Sequence, residues 1–399
     1  MDKLFDHIKN AQKRIQPSIF RTSLLHGTLL SRELGITAWC KWENRHVTGS
    51  FKERGASNFL SLLSPEDRKR GVIASSAGNH ALALSYHASL QNISCKIVMP
   101  RFAPLIKVRS SRGYGADVIL AGDNFDEAGE HASIIEKQEN RVRVQAFNDP
   151  SIIAGQGTIG LEILDQLPDA DMIVVPVGGG GLISGIACAA KHLKPSIKIV
   201  GVQSDWVVKK TNHTAERIPY ASIADGIAVK SLGDLTKPLI DKYVDELVSV
   251  SEDEISDAIV KLLALEHAVV EGAGAAGIAA ALAGKLPKIK GNTVFVICGS
   301  NIDVNVLSRL IDRSSAKDGR LLGIIVSVPD VPGALHLITE IISQQAGNIL
   351  NVLHDRSFSA KPAYVDIEFT IEVKDLPHQK TIIDALEAEG LTVALSEHP

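Results

Sequence analysis

Three short segments have compositions suited to chemistry. In Thr48-Gly49-Ser50-Phe51-Lys52-Glu53-Arg54-Gly55 a lysine stands among small residues and beside an aromatic, which nominates Lys52 for a catalytic role, although most lysines are simply solvated. Ser75-Ser76-Ala77-Gly78-Asn79-His80 follows a strand-like run and opens a helical one. That placement aims free backbone N–H groups and the positive end of a helix at an anion such as a carboxylate, and a bare turn with an N-cap would read the same way. Gly178-Gly179-Gly180-Gly181 again leads from strand into helix, and four residues without Cβ let the backbone wrap a phosphate with N–H donors.

The kind of phosphate can be narrowed. The glycine run lacks the GxxxxGK[ST] spacing and has no lysine to reach a β- or γ-phosphate, so a nucleoside triphosphate is disfavoured. Nor does it complete GxGxxG, because Ile183 and Ser184 stand where the third glycine would fall. Gly272-Ala273-Gly274-Ala275-Ala276-Gly277 is a literal match, but it follows the helical stretch Ser256 to Val269 instead of a strand. Close helix packing explains it better, and a dinucleotide is the lesser reading.

These segments need a scaffold, and from about residue 70 to 310 strand-like runs alternate with helical ones. The strands read 71–75, 95–100, 116–122, 142–147, 172–178, 197–203 and 293–299, separated by helical stretches such as 79–90, 124–138, 152–167 and 182–192. Runs that are apolar throughout, separated by helices, indicate a parallel sheet covered on both faces, so the core is α/β and doubly wound. Ser251 to Glu254 is a capping box opening a helix with Ile255, Ile259, Leu262 and Leu263 on one face. The polar run Asp312 to Arg320 reads as a linker. Beyond it, strands at 322–328, 348–353, 365–373 and 391–395, with helices at 335–342 and 379–389, make a βαββαβ, ferredoxin-like order.

Composition excludes several classes of function. A net charge of −4 and the lack of a Lys/Arg block argue against nucleic-acid binding. The cysteines Cys40, Cys95, Cys188 and Cys298 form no CxxC pair, which suggests neither a zinc set nor a disulfide framework and fits a reducing cytoplasm. The N-terminal twenty residues are charged at nearly every turn and carry no apolar core of a signal peptide. Met172 to Ala190 is nineteen residues without a charge, yet Pro176 and four glycines favour strand, loop and helix over a membrane span.

TGSFKERGA, SSAGNHA, PVGGGGLISG and CGSNID, in this order, with IAGQGTIGLEI at 153–163 and SIADGIAV at 222–229, resemble the fold-type II pyridoxal-phosphate enzymes, specifically the serine/threonine dehydratases. The resemblance spans residues 20 to 310, and residues 321–399, with Asp330-Val331-Pro332-Gly333-Ala334-Leu335, resemble an ACT regulatory domain. It implies two open, doubly wound α/β subdomains in a catalytic domain of residues 1–315, with the small subdomain at about 46–145, then the ACT domain.

The same resemblance implies roles. Lys52 would hold pyridoxal 5′-phosphate as a Schiff base and, once released by substrate, remove the Cα proton. Phe51 would pack against the ring, Gly226 would line its other face, and Gly178, Gly179, Gly180 and Gly181 would cradle the phosphate. Ser75, Ser76, Ala77, Gly78 and Asn79 would bind the substrate carboxylate, with Asn79 also bonded to the cofactor's 3′ oxygen. The neutral partner of the pyridine nitrogen would be Cys298, or alternatively Ser300, which makes the ring a weaker electron sink than a carboxylate partner would. The implied reaction is β-elimination from L-threonine to 2-oxobutanoate and ammonia, and from L-serine to pyruvate.

Rival readings are serine racemase or hydroxyaspartate elimination in the same fold, and an amino-acid-binding regulator with an inert catalytic half. Racemase-type relatives place a serine where Ala77 stands and bind a divalent metal where this chain has Gln203, Val207 and Lys209, so neither racemisation nor a metal is expected. The resemblance further implies a homodimer or homotetramer. It also implies an amino-acid effector, isoleucine or valine, bound at Pro332, Gly333 and Ala334 facing Asn348.

Overall fold

A computed structural model describes residues 3–205, 222–229, 231–355 and 363–396. Its chain divides into two compact units, Met1–Ile302 and Asp303–Pro399.

The first unit is built on two sheets. The larger takes β1 (Leu24–His26), β2 (Thr37–Trp42), β7 (Ala170–Pro176), β8 (Lys198–Ser204), β9 (Glu246–Val250) and β10 (Asn292–Ile297), in the order β1-β2-β10-β7-β8-β9. All its neighbours are parallel except β1 with β2. The smaller is wholly parallel, with β3 (Val72–Ser75), β4 (Cys95–Met99), β5 (Asp117–Leu120) and β6 (Val142–Arg143) in the order β5-β4-β3-β6. From Met172 on, strand β7 reads as unbroken apolar residues because it lies between two neighbours and under helices, with Met172 to Val175 all buried. The uncharged stretch around it is strand, glycine turn and helix, the helix being Gly181–Leu193. Among the described residues no helix is long and apolar enough to cross a membrane.

Three readings change. The strand expected over 142–147 ends at Arg143, and Ala146 and Phe147 turn into a cavity. Strands β1, β2 and β9 carry no strong sequence signal: β9 is an edge strand whose Glu246, Leu247 and Ser249 face outward in part. The stretch expected to be a linker is helical as far as Lys317, at the end of a helix Val304–Lys317 capped by Asp303. Ser, Ala, Arg and Lys without Gly or Pro continue a helix once a cap has nucleated it, and polar composition alone does not break one.

In the second unit, β11 (Leu321–Pro329), β12 (Asn348–Asp355), β13 (Tyr364–Glu372) and β14 (Thr392–Leu395) form an antiparallel sheet ordered β12-β13-β11-β14. Helices Ala334–Gln344 and Leu376–Ala388 follow β11 and β13, which completes the βαββαβ order. Val365, Ile367, Phe369 and Ile371 of β13 are buried against Ile338, Ile342, Ile382 and Leu386, while the alternate residues keep solvent contact. That period of two is the mark of a sheet with one wet face.

Candidate active site

The three segments singled out by composition lie at the carboxyl ends of β3, β7 and β10 or pack against them, where ligands bind in open α/β sheets. They line one cavity of about 360 Å³ in the first unit.

Lys52 opens the helix Lys52–Ser61, and the backbone N–H of Phe51 donates to the Cys298 carbonyl at 3.0 Å, which ties this helix start to the end of β10. Lys52 Nζ donates to the Ala146 carbonyl at 2.9 Å and lies 5.1 Å from the centre of the Phe51 ring. Burial brings its pKa down to about 8, against the pull of the sulfur of Cys298 and the carboxylate of Glu271. An amine with that pKa deprotonates readily near neutrality, as a nucleophile or base must.

The glycine turn leaves β7 through Val177. Gly180 adopts a φ of +92° as the residue before the helix Gly181–Leu193, a conformation that disfavours any Cβ. A Cβ on Gly178 would lie 2.9 Å from the Gly226 carbonyl oxygen and 3.1 Å from Ile227 Cα. Thr236 Oγ1 donates to the Gly179 carbonyl at 2.7 Å, holding that oxygen away from an approaching anion. The first-turn N–H groups of this helix have no acceptor within the helix, so the turn presents donors and partial positive charge.

Ser76, Ala77, Gly78 and Asn79 line the cavity at the start of the helix Asn79–Leu90, and Ser76 Oγ accepts from Gly78 N–H at 3.2 Å. Ser75, expected among them, stays in the sheet as the last residue of β3, opposite Val98, and is not part of the lining. Cys298 is part of the lining and Ser300 is not; the Ser300 hydroxyl turns to the carbonyls of Asn44 and Gly49, each at 3.4 Å. Burial, and then the nearby Glu271 carboxylate, push the Cys298 thiol well up, so it is a neutral group. Gly226 and Phe51 also line the cavity. Gln203 belongs to β8, while Val207 and Lys209 lie outside the described residues.

Several lining residues were given no role from the sequence. Glu271 sits before the helix Gly272–Leu282 and accepts from Asn79 Nδ2 at 2.8 Å and from the Asn301 backbone N–H at 3.0 Å. Burial and the Asp225 carboxylate push it up to about 7. A signal existed: it is the one Asp, Glu, Lys or Arg between Glu266 and Lys285, in a run otherwise made of small apolar residues. The GxGxxG match there serves close packing, since a Cβ on Gly274 would meet the Gly299 carbonyl oxygen at 2.7 Å. Lys107 and Asp225 form an ion pair at 2.6 Å, and both line the cavity. His80, its Nε2 at 3.2 Å from the Val144 carbonyl oxygen, is brought down to about 3 by burial and by Lys52, and is neutral. Phe147 lies across the glycine turn, where a Cβ on Gly179 would strike its ring. A lone phenylalanine carries no sequence signal for that.

Residues 15–299 match the family model described as pyridoxal-phosphate dependent enzyme. The chain is 46% identical over 397 residues to an L-threonine ammonia-lyase of Thermotoga maritima, covering 98% of each protein. Among solved structures it resembles the processed form of threonine deaminase isoform 2 from Solanum lycopersicum, with a TM-score of 0.71 and 35% identity over 78% of this chain and 94% of that one. It also resembles maize serine racemase, with a TM-score of 0.70 and 33% identity over 78% of this chain and 98% of that one.

Proposed function

Since the chain belongs to the pyridoxal-phosphate-dependent enzymes, we propose that its cavity seats that cofactor at Lys52 and that the protein deaminates L-threonine to 2-oxobutanoate and ammonia by β-elimination, with L-serine as a second substrate. The observation that carries this reading is the half-buried amine of Lys52 in one cavity with a cradle of four glycines that a Cβ would obstruct. When bound, the cofactor supplies the electron sink that makes the Cα proton of an amino acid removable.

The chain's own residues supply the rest. Lys52 Nζ is the covalent attachment point and, freed by substrate, the base that takes the Cα proton. The N–H groups of Gly178 to Gly181 bind the phosphate, and the backbone from Ser76 to Asn79 binds the substrate carboxylate. Cys298 offers a neutral thiol to the ring nitrogen, a choice over Ser300 supported by the outward turn of the Ser300 hydroxyl. A neutral partner favours prompt loss of the β-hydroxyl over reactions that need a long-lived carbanion. Ala77 lines the cavity without an exchangeable proton, which supports elimination over racemisation.

The second unit we read as an ACT domain that pairs with a second copy and binds an amino acid, isoleucine or valine, near Pro332, Gly333, Ala334 and Asn348. Its βαββαβ order and the φ of +98° at Gly333, before the helix Ala334–Gln344, support this. Gly333→Asp is then expected to blunt the effector response and leave uninhibited turnover in place. A Cβ there meets nothing within 4 Å, so the cost to folding is confined to the left-handed φ, about 1–2 kcal/mol.

The test of the main reading uses purified protein. It should carry the visible absorbance of bound cofactor and release 2-oxobutanoate from threonine, and Lys52→Ala should lose both the covalent adduct and turnover. A colourless protein with full activity would sink it.

A further inference from the structure

Three segments far apart in sequence meet around one buried carboxylate. Asn79 Nδ2 donates to Glu271 Oε1 at 2.8 Å, Asn301 Nδ2 donates to Asn79 Oδ1 at 2.8 Å, and the Asn301 backbone N–H donates to Glu271 Oε2 at 3.0 Å. The second N–H of the Asn301 amide goes to the Thr48 carbonyl at 2.7 Å, so that amide is fully committed and cannot turn over. The Asn79 amide has one oxygen and two N–H groups to place. Its oxygen is occupied by Asn301 and one N–H by Glu271, which leaves a single N–H uncommitted at the cavity wall. Turning the Asn79 amide over would set its oxygen against the carboxylate and its NH₂ against the Asn301 NH₂, opposing acceptor to acceptor and donor to donor.

A carboxylate is an expensive way to make such a contact. Glu271 is 4% exposed, and a glutamine would fill the same space without the cost of a desolvated charge. Glutamine, however, could offer either its oxygen or its NH₂ to Asn79, whereas an ionised carboxylate can only accept. The fold makes room for it: a Cβ on Gly299 would lie 2.2 Å from Glu271 Oε1.

We propose that Glu271 is a positioning residue that, with Asn301, locks Asn79 as an obligate hydrogen-bond donor to an anionic ligand oxygen in the cavity. This rests on the reading of the cavity as the cofactor site, where the acceptor is the ring oxygen of pyridoxal 5′-phosphate. The lock depends on ionisation. The charged or titratable groups around Glu271 are Asp225, Lys107, Lys52 and Cys298, of which burial and Asp225 push its carboxyl up to about 7 while Lys107 and the two asparagines oppose them. Above that pH the carboxylate accepts only; below it the carboxyl acquires an O–H and no longer dictates the orientation of Asn79.

A double-mutant cycle on full-length protein stripped of cofactor and reconstituted to the holoenzyme separates this role from a merely structural one. Cofactor affinity is read from visible absorbance on titration with pyridoxal 5′-phosphate, for wild type, Glu271→Gln, Asn79→Ala and the double variant, across the neutral pH range. Glu271→Gln should weaken binding about tenfold, the scale of one hydrogen bond, and should remove the part of the pH dependence centred near 7 while leaving the part that belongs to Lys52. In the Asn79→Ala background the same substitution should change affinity less than about twofold. Should Glu271→Gln fail to fold, Glu271→Asp serves in its place, since shortening the side chain draws the acceptor away from Asn79 and is expected to give the same non-additivity. Equal losses in both backgrounds, or unchanged affinity, overturn the proposal. A wild type that binds no cofactor overturns instead the reading of the cavity on which it rests.

Discussion

Arg54 lies two residues beyond Lys52 on the same helix and is among the largest fully buried side chains of the molecule. Its guanidinium donates to both oxygens of Glu43 at 2.7 and 2.8 Å and to both oxygens of Glu162 at 2.7 and 2.8 Å. Lys41 Nζ also reaches Glu162, at 2.6 Å, so two cations face two carboxylates with almost no water. Arg54→Met keeps much of the volume and removes one positive charge, leaving two buried carboxylates to share one ammonium. Breaking a buried pair in this way costs about 3–5 kcal/mol, most of it the penalty of the uncompensated charge. At roughly 2 °C per kcal/mol for a unit of this size, the melting temperature of cofactor-saturated protein should fall by about 6–10 °C.

The pH dependence identifies the cause of that loss. Burial alone would raise the Glu43 carboxyl; the Arg54 guanidinium and then His46 outweigh it and hold the group well below the usual carboxylate range. In the wild type this contributes stability that is present above the unfolded-state pKa and is lost as pH falls through the lowered folded value. Without Arg54 only His46 stands against burial at Glu43, so the folded pKa is expected to lie above the unfolded one and protonation on acidification to stabilise the variant. The gap in melting temperature should therefore narrow between about pH 7 and about pH 5. Replacing the whole set, Arg54→Met with Lys41→Met, Glu43→Gln and Glu162→Gln, should cost less than the single change. A drop below about 2 °C for Arg54→Met, or a gap that stays constant in acid, would refute the reasoning.

Gly178→Ala places a methyl 2.9 Å from the Gly226 carbonyl oxygen and 3.1 Å from Ile227 Cα, both backbone atoms that cannot rotate away. Overpacking of this kind costs about 1–3 kcal/mol, and with the donor turn displaced the cofactor should bind at least about tenfold more weakly by absorbance titration. The apo-protein offers a second check through Lys52, whose pKa falls on folding from 10.5 to about 8 because of burial. Between those values the unfolded chain binds more protons, so apo-protein stability should rise with pH there. Lys52→Met should lack that rise in calorimetry, and parallel curves for the two proteins would exclude it.

What the sequence made legible follows from the range of each interaction. The glycine turn, the Lys52 segment and the Ser76 to Asn79 turn each complete their geometry within a few residues, and all three were readable as candidate sites, as was the alternation of β13. The capping box at Ser251 is equally local, and its two hydrogen bonds form as its spacing implies. Ser75 and Ser300 were less legible, because side-chain direction near the end of a strand depends on register, and neither is part of the cavity lining. The carboxylate of Glu271 stood out only as a lone charge in an apolar run, which does not place it in the site. Its partners stand 192 and 30 positions away, and only folding brings them into contact.

The protonation states of the lining groups connect this arrangement to the chemistry. Cys298 is held as a thiol by burial and by its carboxylate neighbour, and His80 is held neutral by burial and by Lys52. Lys107 is paired with Asp225 at 2.6 Å on the cavity wall. Lys52, at about 8, and Glu271, at about 7, are then the lining groups that gain or lose a proton close to neutrality. Each Glu271 oxygen accepts one hydrogen bond, from Asn79 and from the Asn301 N–H, which ties its ionisation to the orientation of Asn79. Lys52 Nζ donates to the Ala146 carbonyl beside the Phe51 ring, an acceptor it can leave. In the proposed reaction the amine that would attach the carbonyl compound would also take the proton from Cα, since Cys298 and His80 are neutral and Glu271 is hydrogen-bonded to Asn79 and Asn301.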